Sequence, residues 1–148
     1  MDIVVNKKAR FRYEIMDDFE AGIVLVGSEV KSLRGKKVNV SDSYATFKNH
    51  ELFLTNLRIE PYEKAKHFNH EPTRSRKLLM HKKELTKLKS RSEEKGYVIV
   101  PLKIYFNQRQ QVKVLLGLGK GKKSHDKRQA IKERDIKRDT DREMKQYK

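Results

Sequence analysis

The sequence has no cysteine, which excludes a disulfide framework, a thiolate zinc site and a cysteine nucleophile. Its longest apolar runs are about five residues, where a membrane-spanning helix needs about 20. The opening Met1-Asp2-Ile3-Val4-Val5-Asn6-Lys7-Lys8 lacks the apolar segment and small-residue cleavage site of a signal peptide. A soluble cytoplasmic protein with no membrane association is therefore expected. Tryptophan is absent and aromatics make up only 8% of the chain, a poor supply of stacking platforms for a general binder of single strands.

Acidic residues are also in short supply. Against 36 Lys and Arg there are 20 Asp and Glu, a formal charge of +16. Such an excess disfavours compaction by self-repulsion and points to an anionic partner, most often nucleic acid. The 148 residues fit one domain. The low apolar fraction, 36%, is not spread evenly. From residue 121 to 148 the hydrophobic residues are Ala130, Ile131, Ile136, Met144 and Tyr147 alone. Without that segment the apolar content is that of an ordinary globular core. The reading is a basic domain over residues 1–120 carrying a basic tail over 121–148.

Strand signals dominate the first part. Phe11, Tyr13 and Ile15 alternate with Arg12, Glu14 and Met16, the period of a half-buried strand, and Gly22 to Val26 forms a second run. Ser28 to Gly35 reads as a short helix, with Ser28 as its cap and Gly35 as a left-handed stop. Ser43–Lys48 and Glu51–Glu60 form a hairpin around Asn49-His50, and Glu60 to Thr73 reads as a loop. His81 to Lys95 reads as a helix with Leu85 and Leu88 inward, fraying before Lys95 because Glu93 and Glu94 suit its C-terminus poorly. Val98, Val100, Leu102, Ile104 and Phe106 make one apolar strand face, with Pro101 marking an edge or bulge. A last strand carries Val112, Val114, Leu116 and Leu118. Short antiparallel strands with two short helices favour a small closed barrel over an α+β sandwich, since closure removes exposed edges.

Tempting motifs dissolve on inspection. Gly117-Leu118-Gly119-Lys120-Gly121-Lys122-Lys123-Ser124 misses both the P-loop and the dinucleotide spacing, and reads as a flexible basic exit from the last strand. His67 and His70 fall in the loop with no further ligand to complete a metal site, so a solvated loop is expected. Ser41-Asp42-Ser43 fits a turn, and His50 a hairpin tip. No metal or other cofactor is expected, and no carboxylate cluster or histidine pair supports catalysis. The basic residues instead gather in four groups: Lys7 to Arg12, Lys31 to Lys37, Arg74 to Lys83, and Lys120 to Arg128. Together they favour an extended phosphate-binding surface. Phe11, Tyr13 and Tyr44 could stack on bases, although the first two serve equally well in a core. The tail is rich in helix formers and has no Pro, so it could fold on a polyanion after being disordered alone.

The order of motifs is distinctive. Asn6-Lys7-Lys8-Ala9, Phe19-Glu20-Ala21-Gly22-Ile23 and Gly27-Ser28-Glu29-Val30-Lys31-Ser32-Leu33-Arg34 are followed by Val40-Ser41-Asp42-Ser43-Tyr44. Then come Pro72 to Leu79, Gly119 to Arg128, and Ile131-Lys132-Glu133-Arg134. In this order they closely resemble the bacterial SsrA-binding protein family, small protein B. The resemblance implies a mainly β fold, a six-stranded OB-like closed barrel with two or three short helices and the tail. It implies a monomeric, non-enzymatic partner of transfer-messenger RNA and the ribosome, acting in trans-translation to rescue stalled ribosomes. Such a protein binds the tRNA-like domain at its elbow, while its tail becomes helical in the decoding centre and the empty mRNA channel.

Carried over by position, Asn6, Lys7 and Lys8 match the N-terminal RNA-contacting stretch, and Glu20, in the motif with Gly22, matches an RNA-binding glutamate. A carboxylate can accept hydrogen bonds from guanine N1–H and N2–H or a 2′-OH, adding specificity where Lys and Arg add affinity. Arg34, Lys36, Arg74, Arg76 and Lys77 are further phosphate-contact candidates. Leu79 matches a position linked to RNA binding, and is expected to support the loop from beneath. His125 matches a decoding-centre histidine, flanked by Lys120, Lys122, Lys123, Asp126, Lys127 and Arg128. Ile136 and Met144 are expected to anchor the tail, where Glu143 departs from the apolar residue common at that step. The alternative reading is a general single-stranded nucleic-acid binder on the same barrel.

Overall fold

The computed structural model describes residues 1–65, 68–94 and 96–122. Lys123, His125, Asp126, Lys127, Arg128, Ile136 and Met144, with the expectations placed on the tail, lie outside them. The described elements are β1 (Asp2–Val5), α1 (Lys7–Arg12), β2 (Tyr13–Ile23), α2 (Gly27–Arg34), β3 (Val38–Asn39) and β4 (Tyr44–Lys48). They continue with β5 (Glu51–Thr55), β6 (Arg58–Ile59), β7 (Arg76–Leu79), α3 (Lys82–Ser92), β8 (Tyr97–Phe106) and β9 (Val112–Gly121).

Six strands close into an antiparallel ring in the order β8, β4, β5, β7, β2, β9, with β9 returning to β8. β1 adds to the free part of β8, and β3 pairs with β6 in a separate ribbon. The mainly β barrel expected from alternation and turn chemistry is therefore present. The main core is aliphatic, with Leu52, Leu54, Leu57, Ile59, Leu88, Leu116 and Leu118 all fully buried. Its burial is the principal force holding a charged chain of this kind together.

Several elements differ from expectation, each for a local reason. The strand predicted to include Phe11 starts at Tyr13, because Lys7–Arg12 winds into α1, and β2 then runs unbroken to Ile23. Ser28 is not the cap of α2. Val26 occupies that place, and its N–H donates to Glu29 Oε1 at 2.9 Å. Nor is Gly35 left-handed, with φ −82°. Lys36 takes φ 58°, and the N–H groups of Lys36 and Lys37 reach back to the carbonyls of Leu33 and Ser32 in a Schellman closure. The hairpin is tighter than its residue types alone require. Lys48 pairs with Glu51 across a two-residue turn in which Asn49 and His50 both have positive φ, 52° and 67°.

The single apolar face read along β8 is broken in two. A bulge at Leu102 shifts the register to β9 between Pro101 and Lys103. Ile99, Ile104 and Phe106 consequently enter the main core, whereas Val100 and Leu102 join Ala9 in a second cluster flanked by Tyr13, Ile15 and Leu115. Pro101 is at this bulge, in the gap between the β1 and β4 pairings of β8, where its missing N–H costs no ladder bond. Gly117 and Gly119 belong to β9 and are buried, so the stretch up to Gly121 that was expected to be a flexible exit is strand.

Candidate nucleic-acid interface

Strand register sets out one outward face. Gly22 pairs with Leu79 of β7 on one side and with Lys113 of β9 on the other. Glu20 pairs with Leu115. Across β9, Lys113 pairs with Tyr105 and Leu115 with Lys103. Because side chains opposite one another share a face, Glu20, Gly22, Leu79, Lys103, Tyr105 and Lys113 form one contiguous outer patch. Lys77 stands two residues before Leu79 on the same side of β7 and is exposed. Four predicted residues, Glu20, Gly22, Lys77 and Leu79, are thus assembled from two distant stretches of chain. Lys103, Tyr105 and Lys113 were not foreseen, since only register places them there.

The chemistry of the patch is mixed. Lys77 Nζ lies 3.5 Å from Glu51 and Lys103 Nζ 3.6 Å from Asp2, both exposed pairs that a phosphate could displace at small cost. Leu79 is 51% exposed, which corrects its expected role beneath the loop. Tyr105 Oη donates to Glu20 Oε2, and the ring lies 5.1 Å from Lys103 Nζ. Burial first, and then the bond to Glu20, push the phenol's pKa well up. The face offers cations, a carboxylate acceptor, a flat apolar spot and an aromatic edge.

Other predicted contact residues fall into three situations. Lys7 and Lys8 are exposed in the first turn of α1, along a groove of about 220 Å³ shared with Val38–Ser41. Arg34 and Lys36 are exposed where α2 ends, just ahead of that segment. Asn6, by contrast, is buried: its N–H donates to the Leu102 carbonyl at 2.8 Å and its side-chain amide to that of Pro101 at 2.9 Å. It satisfies the carbonyls at the β8 bulge, and so sets where Lys7 and Lys8 begin.

Arg76 requires a correction. It is fully buried, with its Nε on Glu29, Nη1 on Leu57 O at 2.6 Å and Nη2 on Pro72 O at 3.0 Å. A guanidinium so enclosed is not offered to phosphate. Arg74 binds the same Glu29 carboxylate and also Val24 O at 3.4 Å, with its side chain about one-third exposed. The segment Pro72–Arg76 is thereby tied to α2, and Lys77 and Leu79 follow directly from it. His70 is also corrected from a solvated loop position. It is buried, with Nδ1 on Ser28 Oγ at 2.9 Å and Nε2 on Ile59 O at 2.8 Å. Both ring nitrogens are engaged in pinning the loop.

Lys120 and Lys122 lie at the other end of the β2–β9 pair. Lys120 pairs with Glu14, its Nζ stands 5.0 Å from the Tyr97 ring, and the Lys122 N–H donates to Arg12 O at 3.0 Å. Glu20 lies six positions beyond Glu14 in β2, about 20 Å along a strand. Tyr13 and Tyr44 also lie away from the Glu20 face, in a cleft of about 870 Å³ at the β4–β8 seam.

Four likenesses bear on these geometries. The family model described as "SmpB protein" matches residues 3–146. The SsrA-binding protein of Desulforamulus reducens is 52% identical over 144 residues, covering 97% of this chain and 89% of that one. The SsrA-binding protein of Staphylococcus aureus strain Newman is 55% identical over 140 residues, covering 95% and 90% respectively. A solved structure, "tmRNA-SmpB: a journey to the center of the bacterial ribosome", superposes with a TM-score of 0.69 at 55% identity. It covers 82% of this chain and 85% of that one.

Proposed function

The chain belongs to the SmpB family, and from that premise we propose that it binds transfer-messenger RNA and delivers it to stalled ribosomes for trans-translation. The observation that carries this reading is identity above one-half to an SsrA-binding protein across nearly the whole chain. It acts in the cytoplasm as a binding adaptor, with no catalytic step of its own. The outer face of β7, β2, β9 and β8 receives the tRNA-like domain of the RNA. Lys77, Lys103 and Lys113 supply phosphate contacts, and Glu20 accepts hydrogen bonds from a base edge or a 2′-OH. Gly22 and Leu79 form the flat ground between them. Lys7, Lys8, Arg34 and Lys36 extend the cationic surface, and Arg74 adds to it while holding α2. Asn6 and Arg76 position these groups from within. The tail over 121–148, with His125 and its basic neighbours, engages the decoding centre and the empty mRNA channel.

Competition binding tests the reading. The protein should prefer the tRNA-like domain over a plain single strand of equal length. Glu20→Ala should erode that preference while leaving the salt dependence of binding unchanged, since no phosphate contact is lost. Lys77→Ala should instead reduce the salt slope by about one unit or less per contact, with selectivity retained. Equal affinity of the wild-type protein for both RNAs would favour a general single-strand binder.

A further inference from the structure

The Glu20 carboxylate is not a free rotor on the barrel surface. Tyr105 Oη donates a hydrogen bond to Glu20 Oε2, although β9 lies between the two strands that carry them. Tyr105 is in register with Lys113 and Glu20 with Leu115, so the phenol crosses β9 on the diagonal. The ring is half-buried and is itself steadied by Lys103, which Asp2 holds at 3.6 Å. Glu20 Oε1 has no partner among the described residues.

We propose that Tyr105 is a positioning residue for RNA selection, holding Glu20 with Oε2 engaged and Oε1 presented to a hydrogen-bond donor on the RNA. This rests on the reading that the face binds the tRNA-like domain. A glutamate loses substantial rotamer freedom when it is ordered, and ordering it before the RNA arrives removes that cost from the binding step. The phenol is well suited to the task. It donates to one carboxylate oxygen, and it leaves lone pairs on both oxygens for an incoming N–H or O–H. A lysine in its place would bring its own charge and compete for the phosphates the face has to attract.

Tyr105→Phe keeps the ring, its packing and its contact with Lys103, and removes only the donor. Affinity for the tRNA-like domain should fall about fivefold, the size of one net hydrogen bond, with the salt slope unchanged. In a Glu20→Ala background the same substitution should cost nothing further, because the group it positions is gone. Without RNA, the phenol titration assigned to Tyr105 by difference from Y105F should move down toward 10.0 in Glu20→Ala. If Y105F binds as wild type does, or its full penalty persists beside Glu20→Ala, the proposal is overturned; in the second case the phenol touches RNA itself. An unmoved titration would deny the link between the two side chains. A wild-type protein with no preference for the tRNA-like RNA overturns the functional reading and this proposal with it. A wild-type preference that Y105F leaves intact overturns this proposal alone.

Discussion

At Gly22 the barrel wall has room that the protein itself does not use. A Cβ there would meet Leu79 Cβ at 3.5 Å and Lys113 Nζ at 3.7 Å, ordinary contact distances. Alanine is therefore tolerated, and by restricting the unfolded chain it should add a few tenths to about 1 kcal/mol of stability. If RNA lies against this spot, Gly22→Ala should unfold at or slightly above the wild-type temperature yet bind the tRNA-like domain more weakly. A thermal melt and a binding isotherm on one preparation decide it, and undiminished affinity would remove Gly22 from the interface. Gly117 and Gly119 answer to a different demand. Their Cβ atoms would approach Leu102 and the Glu14 carbonyl to 3.0 Å, and alanine at either should cost about 1–3 kcal/mol of overpacking. The sequence presents all three as glycine within a strand pattern, and only the neighbours across the barrel separate them.

Between elements, the decisive contact is one carboxylate. Glu29 projects from the first turn of α2, accepts the Val26 N–H, and binds both Arg74 and Arg76. Burial tends to raise its pKa, but the hydrogen bonds from Arg74, Val26 and Arg76 outweigh it, and the carboxyl is held below its ordinary 4.5. The folded state thus binds this proton more weakly than the unfolded one. Stability from the group is present in full above about pH 4.5 and is lost as pH falls through the lowered folded value. Glu29→Gln leaves Arg76 buried without its counter-charge and should cost about 3–5 kcal/mol. Urea midpoints measured from pH 7 to pH 3 should show that gap between wild type and variant narrowing below about pH 4.5. A gap that is constant over this range would mean the carboxylate's charge is not what holds the two elements together. The same contact explains why Arg74, Arg76 and Lys77, alike as basic residues in the sequence, diverge in place. Alternation along β7 turns Arg76 and Leu78 inward and Lys77 and Leu79 outward. The strand escapes a sequence reading because it is four residues long and half basic.

For the whole molecule, the β2–β9 pair sets a distance between the two proposed functions. Glu20 and Gly22 lie toward one end, while Lys120 and Lys122 leave from the other beside Arg12 and Tyr97. A chain ending at Lys122 retains both of those exit contacts, so it should fold and bind the tRNA-like domain with undiminished affinity. It should nonetheless fail to release stalled ribosomes in a reconstituted trans-translation assay. Loss of RNA binding on this truncation would show that the tail is part of the same interface, against the proposed division of work.

Local rules carry far in this protein. Period-two alternation marked β8, β9 and the start of β2, Asn49-His50 marked the hairpin, and the charge against a helix C-terminus ended α3 at Ser92. Composition alone suggested a basic body with a basic tail and called for an anionic partner. These are properties of neighbouring residues or of sums, and they need no contact across the chain. The sides of the barrel are another matter. A single bulge at Leu102 exchanges the face of every residue beyond it in β8, because side-chain direction has a period of two. Register then decides that Tyr105 meets Glu20 and that Leu79 stands beside Gly22. Burial decides that Arg76 serves Glu29 while Lys77 faces water. The sequence by itself determined which residues are available for a charged partner; only closure of the barrel decided which of them share a face, because that is a relation between strands far apart in the chain.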